Sequence, residues 1–171
     1  MSEVEALPED PEAQVRADLS ALGVDFEALP CDPALADTAE FCAAYGVSAA
    51  DSANAIIVIS KRPAGRACAC LLLADSRLDV NRAVAGALGV KRASFASAEQ
   101  TRAMTGQRIG GVTIFGLPRE LPIFVDARVM TRPSIIIGGG SRSLKLRLAP
   151  AELRKLPSAR VIDGLAVPRE P

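Results

Sequence analysis

The residue types and spacings that could do chemistry are concentrated between positions 105 and 145, which read TGQRIGGVTIFGLPRELPIFVDARVMTRPSIIIGGGSRSLK. Seven of the chain's thirteen glycines fall in this stretch: Gly106, Gly110, Gly111, Gly116, Gly138, Gly139 and Gly140. Glycine weakens helices and strands, so it is kept where the backbone takes positive φ or another group comes close. Gly110-Gly111 and Gly138–Gly140 each adjoin an apolar segment. Brought together, they make a concave wall of backbone N–H groups, suited to a carbonyl, an ester oxygen or a phosphate. Plain turn chemistry is the alternative for either cluster alone; two clusters within thirty residues favour the pocket. The spacing fits neither a P-loop nor a dinucleotide fingerprint.

Polar residues in the same stretch offer further roles. The Thr113 hydroxyl can orient a water, or Thr113 is simply a β-former. Asp126, at a strand end, can accept from an ammonium group or cap the following turn. Arg142, just past the triple glycine, is assigned toward a ligand, and Lys145 to a solvated strand edge.

The rest of the composition narrows the chemistry. The chain has no histidine, so Ser-His and Cys-His nucleophilic systems are excluded. Cys68 and Cys70 alternate within an apolar run and should share one strand face. With one close pair and no histidine, the four cysteines read as small buried hydrophobes, and neither a metal nor a cofactor is expected. Net charge is zero, yet residues 1–60 hold twelve acids against the single base Arg16. Sixteen of the twenty basic residues are arginine, the side chain that best forks onto phosphate. Such a bipolar chain can steer a polyanion to one side, unless its halves neutralise each other on folding.

The elements that must position these residues follow from periodicity. Helices are expected over Glu12–Leu22, from Asp37 as N-cap (with Glu40 completing a box) to Tyr45, after Asp79 as cap to Leu88, from a Ser97/Gln100 capping box to Thr105, and over Pro150–Leu156. Strands are expected over Ala53–Ser60, Ala67–Ala74, Lys91–Phe95 and Arg160–Asp163, and around Ile123–Val125, Ser134–Ile137 and Lys145–Leu148. Lys61–Arg66 reads as the turn of a hairpin. At 171 residues this is one mixed α+β domain. Met1–Pro11 is acidic, lacks a signal-peptide pattern and is expected to be a flexible tail before a single domain over 12–171. No apolar run reaches the roughly 20 residues that span a bilayer, so a cytoplasmic protein without a membrane partner is expected.

Taken together, the motifs resemble the YbaK/EbsC family, also called the YbaK/prolyl-tRNA synthetase associated domain. The family pattern T-G-x-x-x-G-G-V-x-P-F-G, L-P-x-x-V-D and G-G-G-x-R-x-x-K appears here as Thr105-Gly106, Gly110-Gly111-Val112-Thr113, Phe115-Gly116, Leu121-Pro122, Val125-Asp126 and Gly138–Gly140 with Arg142 and Lys145. Weaker similarity extends from about Val15 to Asp163. The resemblance implies a mixed, barrel-like β-sheet flanked by helices. It also implies trans hydrolysis of the ester in misacylated aminoacyl-tRNA, by water and without a protein nucleophile. The partners it implies are aminoacyl-tRNA and an aminoacyl-tRNA synthetase, not DNA.

Carried over residue by residue, the catalytic group comprises Asn54, in the slot of a family lysine, with Gly110 and Gly111. Substrate binding falls to Thr113, Ile114, Phe115, Asp126, Gly138, Gly139, Gly140 and Arg142. Two positions depart from the pattern: Asn54 brings no charge where the family has lysine, and Ile114 replaces a loop proline. The alternative reading is therefore a non-catalytic tRNA or small-ligand binding module that has lost the lysine. A third is hydrolysis of another small acyl ester or thioester.

Overall fold

The run around Cys68 and Cys70 is apolar at every position because both of its faces are buried. In the computed structural model, which describes residues 11–169, this run is β3 (Ala64–Leu73), antiparallel to β2 (Ala53–Arg62). Successive side chains of a strand point to opposite faces. Ala69, Leu71 and Leu73 accordingly enter one core, and Cys68, Cys70 and Leu72 enter another. The two thiols do share a face, 3.8 Å apart, and all four cysteines are free.

β3 lies in the middle of a five-stranded sheet of order β5-β2-β3-β6-β9. Its other members are β5 (Arg92–Phe95), β6 (Ile123–Asp126) and β9 (Ala159–Ile162). β5 and β2 are antiparallel, whereas β3, β6 and β9 run parallel. A second sheet, β1-β8-β7, joins β1 (Glu27–Pro30), β7 (Ile135–Gly138) and β8 (Leu144–Leu148). Among the described residues the two sheets are joined by one isolated parallel bridge, Ser52 to Ile136. The expected α+β architecture is present, but the barrel-like sheet is not closed. β4 (Ser76–Leu78) and β10 (Ala166–Pro168) form a separate pair.

The larger core fills the space between the sheets. Leu71, Val125, Ile135, Ile137 and Leu146 meet there, and Val15 and Leu19 of α1 (Pro11–Leu22) close it. The smaller core lies behind the five-stranded sheet, under Val84, Ala85 and Leu88 of α3 (Ala85–Leu88) and the π-type turn before it. α2 (Thr38–Tyr45) lays Phe41 against Ile136, on the far side of the second sheet. α4 (Ala98–Thr105) opens on the expected Ser97/Gln100 capping box and ends at Gly106 with φ 72°.

Several expectations need correction. Asp37 occupies the N-cap position of α2 but makes no capping bond, because Arg142 claims its carboxylate. Asp79 likewise caps nothing with its side chain. The hairpin turn is tight at Pro63, so Lys61, Arg62, Ala64 and Arg66 are strand residues. Pro150–Lys155 is 3-10 rather than α-helical. The acidic tail, apart from Pro11, lies outside the described residues.

Leu71 is fully buried at the centre of the sheet. Leu71→Ala is expected to cost about 2–5 kcal/mol of unfolding free energy, read from urea midpoints at unchanged slope. A loss under about 1 kcal/mol would mean that the core closes over the cavity.

Candidate functional site

β2 and β7 meet at the Ser52–Ile136 bridge and then part, and a cavity of about 220 Å³ opens in the fork. One prong supplies Ser52 to Ile56 and the other Ile136 to Gly138. The open side is filled by the start of α2, through Asp37, Thr38 and Phe41, and by the glycine loop, through Ile109, Gly110 and Val112. Lys145 of β8 forms the floor.

Asn54 stands on the β2 prong. Its Oδ1 accepts from the Thr38 hydroxyl at 2.6 Å. That bond orients the amide, and among the described residues its NH₂ group donates to no protein acceptor. Opposite, the register of β7 and β8 directs the backbone of Gly138. Gly139 N–H donates to Leu144 C=O at 3.0 Å, making 139 and 144 a hydrogen-bonded pair. In an antiparallel ladder such pairs alternate. Gly138, paired with Lys145, therefore turns its own N–H away from β8 and toward the fork.

The glycine loop is held from three directions. Buried Gln107 spans it, donating from Nε2 to Phe115 C=O at 2.9 Å and accepting from Thr113 N–H at 2.8 Å. Lys145 Nζ donates to Gly110 C=O at 2.8 Å and to Ala36 C=O at 2.7 Å, and lies 5.4 Å from the centre of the Phe41 ring. Arg142 donates to Ile109 C=O and Pro33 C=O and pairs with Asp37. Burial pushes the Lys145 ammonium below the usual lysine range. The hydrogen bond from Arg142 holds the Asp37 carboxyl below the usual carboxylate range.

The two glycine clusters do meet, but their chief role is close packing. A Cβ on Gly111 would strike the Ser141 backbone, and one on Gly138 would strike Val112 C=O. The expected wall of free N–H groups is largely spent internally. Gly111 donates to Arg108 C=O, Gly139 to Leu144 C=O, and Gly140 to Gly111 C=O at 2.6 Å.

Of the residues expected at the site, Asn54, Gly110 and Gly138 line the cavity. Gly111, Gly139 and Gly140 form the junction behind it. Arg142 does not present a free guanidinium, since Nε, Nη1 and Nη2 all reach protein acceptors. Thr113, Ile114 and Phe115 are wholly buried in the loop. Ile114 lines a separate cavity of about 150 Å³ beside Asp18 and Leu22. Asp126 sits buried at the end of β6, accepting from Ala166 N–H at 3.4 Å.

Sequence reasoning missed Lys145, Thr38 and Phe41. Lys145 looked like a strand edge because the short β1 was not recognised, and β1 makes β8 a central strand. The alternation Leu144-Lys145-Leu146 carried the signal. It sends both leucines into the core and the lysine to the opposite face, under α2.

Burial raises the Asp126 carboxyl above its ordinary 3.8. The folded state then binds that proton more tightly than the unfolded state, so stability falls as pH rises from 3.8 through the raised value. Asp126→Asn is expected to remove this slope, measured by urea unfolding between about pH 3 and pH 7. Parallel profiles for the two proteins would refute the assignment.

Residues 32–156 match the family described as Aminoacyl-tRNA editing domain. The fold is similar to the crystal structure of hypothetical protein APE2540, with 27% identity, a TM-score of 0.80, and 90% of this chain and 99% of that one covered. It is also similar to a structure described as a proposed trans-editing enzyme for prolyl tRNA synthetase, at 23% identity and a TM-score of 0.77, covering 91% and 96% of the two chains.

Proposed function

Because the chain belongs to the aminoacyl-tRNA editing domain family, we propose that it hydrolyses the ester of misacylated aminoacyl-tRNA in trans, by attack of water and without a protein nucleophile. The observation that carries this reading is the fork itself. It sets an oriented amide on Asn54, a backbone N–H on Gly138 and a buried ammonium on Lys145 around one small cavity.

A space of about 220 Å³ suits an aminoacyl group more than a nucleoside, so the terminal ribose stays at the mouth. Ile56, Val112, Ile136, Ile137 and Phe41 give the cavity apolar walls. The scissile carbonyl oxygen fits between the Asn54 amide and the Gly138 N–H. As water adds to the carbonyl carbon, charge builds on that oxygen. Preorganised donors aimed at such a charge are worth several kcal/mol, roughly 10²–10³ in rate for one good donor. The bond from carbon to the ribose oxygen then breaks, and the proton lost by water ends on the ribose hydroxyl. Lys145 contributes positive potential from the floor while its carbonyl partners keep the loop in place.

The absence of histidine agrees with this chemistry. The Thr38 hydroxyl is committed to Asn54, and the Asp37 carboxylate to Arg142. Neither is placed as a nucleophile with its own base. Positioning and electrostatics carry the reaction instead. The cytoplasm, where charged tRNA is found, is the compartment that fits this substrate.

The test is a deacylation screen on tRNAs mischarged with small amino acids, comparing wild type with Asn54→Ala and Asn54→Lys. Asn54→Ala is expected to lower kcat/KM about 100- to 1000-fold, mostly in kcat. An inert wild type from which Asn54→Lys gains activity would replace this reading with a binding module that lost its lysine. Unchanged activity in Asn54→Ala would remove the amide from the mechanism.

A further inference from the structure

The far end of the β2–β3 hairpin carries a concentration of charge that the fold does not use. Lys61, Arg62, Arg66, Lys91 and Arg92 are all exposed there, and among the described residues none has a carboxylate within salt-bridge distance. Arg62 and Arg92 are direct cross-strand partners on β2 and β5. Like charges placed opposite each other weaken a sheet. Among the described residues, Arg66 is the one of these five whose side chain bonds the protein, from Nη1 to Leu88 C=O at 3.2 Å. Acids are sparse in the surrounding sequence: none from Ala53 to Ala74, and only Glu99 from Val80 to Arg119.

The tip is connected to the cavity by a surface track. β5 leaves Arg92 beside Arg62 and brings Phe95, a residue 55% exposed, beside Val58. Ala96 N–H then donates to Ile57 C=O, halfway down β2. α4 continues with exposed Arg102 and delivers exposed Arg108 and Ile109 to the rim, next to Gly110. Cations in series with exposed apolar and aromatic groups are the pattern that holds a nucleic-acid strand, with phosphates on the charges and a base on a ring. From Asn54 to Arg62 the strand spans about 26 Å, at roughly 3.3 Å per residue.

We propose that this hairpin tip is a second contact for the RNA: it binds phosphates of the tRNA body while the β5–α4 edge guides the 3′ end to the fork. This deepens the editing function proposed above and rests on it. The tip supplies sequence-independent affinity, and the cavity reads the aminoacyl group.

The test uses the full chain and the triple variant Lys61→Gln/Arg62→Gln/Arg92→Gln, leaving Arg66 in place because of its bond to Leu88. Deacylated tRNA binding is measured across a salt series. Hydrolysis is measured on alanyl-tRNA and on a short alanylated oligonucleotide ending in CCA. The variant is expected to bind tRNA at least about tenfold more weakly and to lose about 2–3 from the log–log salt slope, since each phosphate contact contributes about 0.7–0.9. Its KM for alanyl-tRNA should rise while cleavage of the short ester stays at the wild-type rate.

Equal tRNA affinity and salt slope in the two proteins would overturn the proposal, whatever the enzyme does. If wild type cleaves neither ester nor any other in the small-amino-acid screen, the editing reading fails, and the binding comparison still decides the tip. Should the triple variant lose its thermal transition, Arg92→Gln on the edge strand replaces it, with a slope change of about 0.7–0.9 expected and no change overturning.

Discussion

A single buried ammonium holds the site together. Lys145 leaves the far face of β8 and donates to Ala36 just before α2 and to Gly110 in the glycine loop. Three segments separated widely in sequence thus share one cation. Burying a charge with neutral carbonyl partners is unfavourable, and the lowered pKa of Lys145 reflects that. The fold tolerates the cost where the charge also sets the potential of a cavity. Arg142 repeats the arrangement one layer outward, tying Ile109, Pro33 and Asp37 together in a less buried setting.

The glycines serve the same end by letting backbones touch. Where Gly111 lies on Ser141, and Gly138 on Val112, two chain segments approach closer than any side chain would allow. Gln107 then fixes the loop from inside, bonding to residues 113 and 115 at once. The loop has no regular secondary structure, yet its middle is as buried as the core.

Much of this could be read in the sequence, for physical reasons that differ by element. β3 was legible because a strand buried on both faces is continuously apolar. α4 was legible because its capping box is a local signal that needs no tertiary partner. β1, β4 and β10 were not, since three or four residues carry no period and pair only because a distant strand awaits them. At the site, the glycine clusters announced a close approach, but not that most of their amides would be consumed by it. Asn54 was singled out by its place in the family pattern, and it lines the cavity. Its partner Thr38 was hidden, because the bond crosses sixteen positions between a helix and a strand. Arg142, expected to face a ligand, is spent bracing the rim, and Lys145, assigned to solvent, lines the cavity.

The fork also has a consequence for how the molecule comes to exist. Its walls come from Asp37, Thr38 and Phe41, from residues 52–56, from Ile109, Gly110 and Val112, and from residues 136–138 and 145, so no short contiguous fragment contains it. The β2–β3 hairpin closes locally, but the parallel pairing of β3 with β6 joins Ala69 to Ile123 across a long intervening chain. Contacts of that span are entropically late, and they depend on everything nearer being in place. A nascent or partly opened chain therefore has no cavity in which to seat a ligand. Competence is a property of the completed topology, acquired all at once.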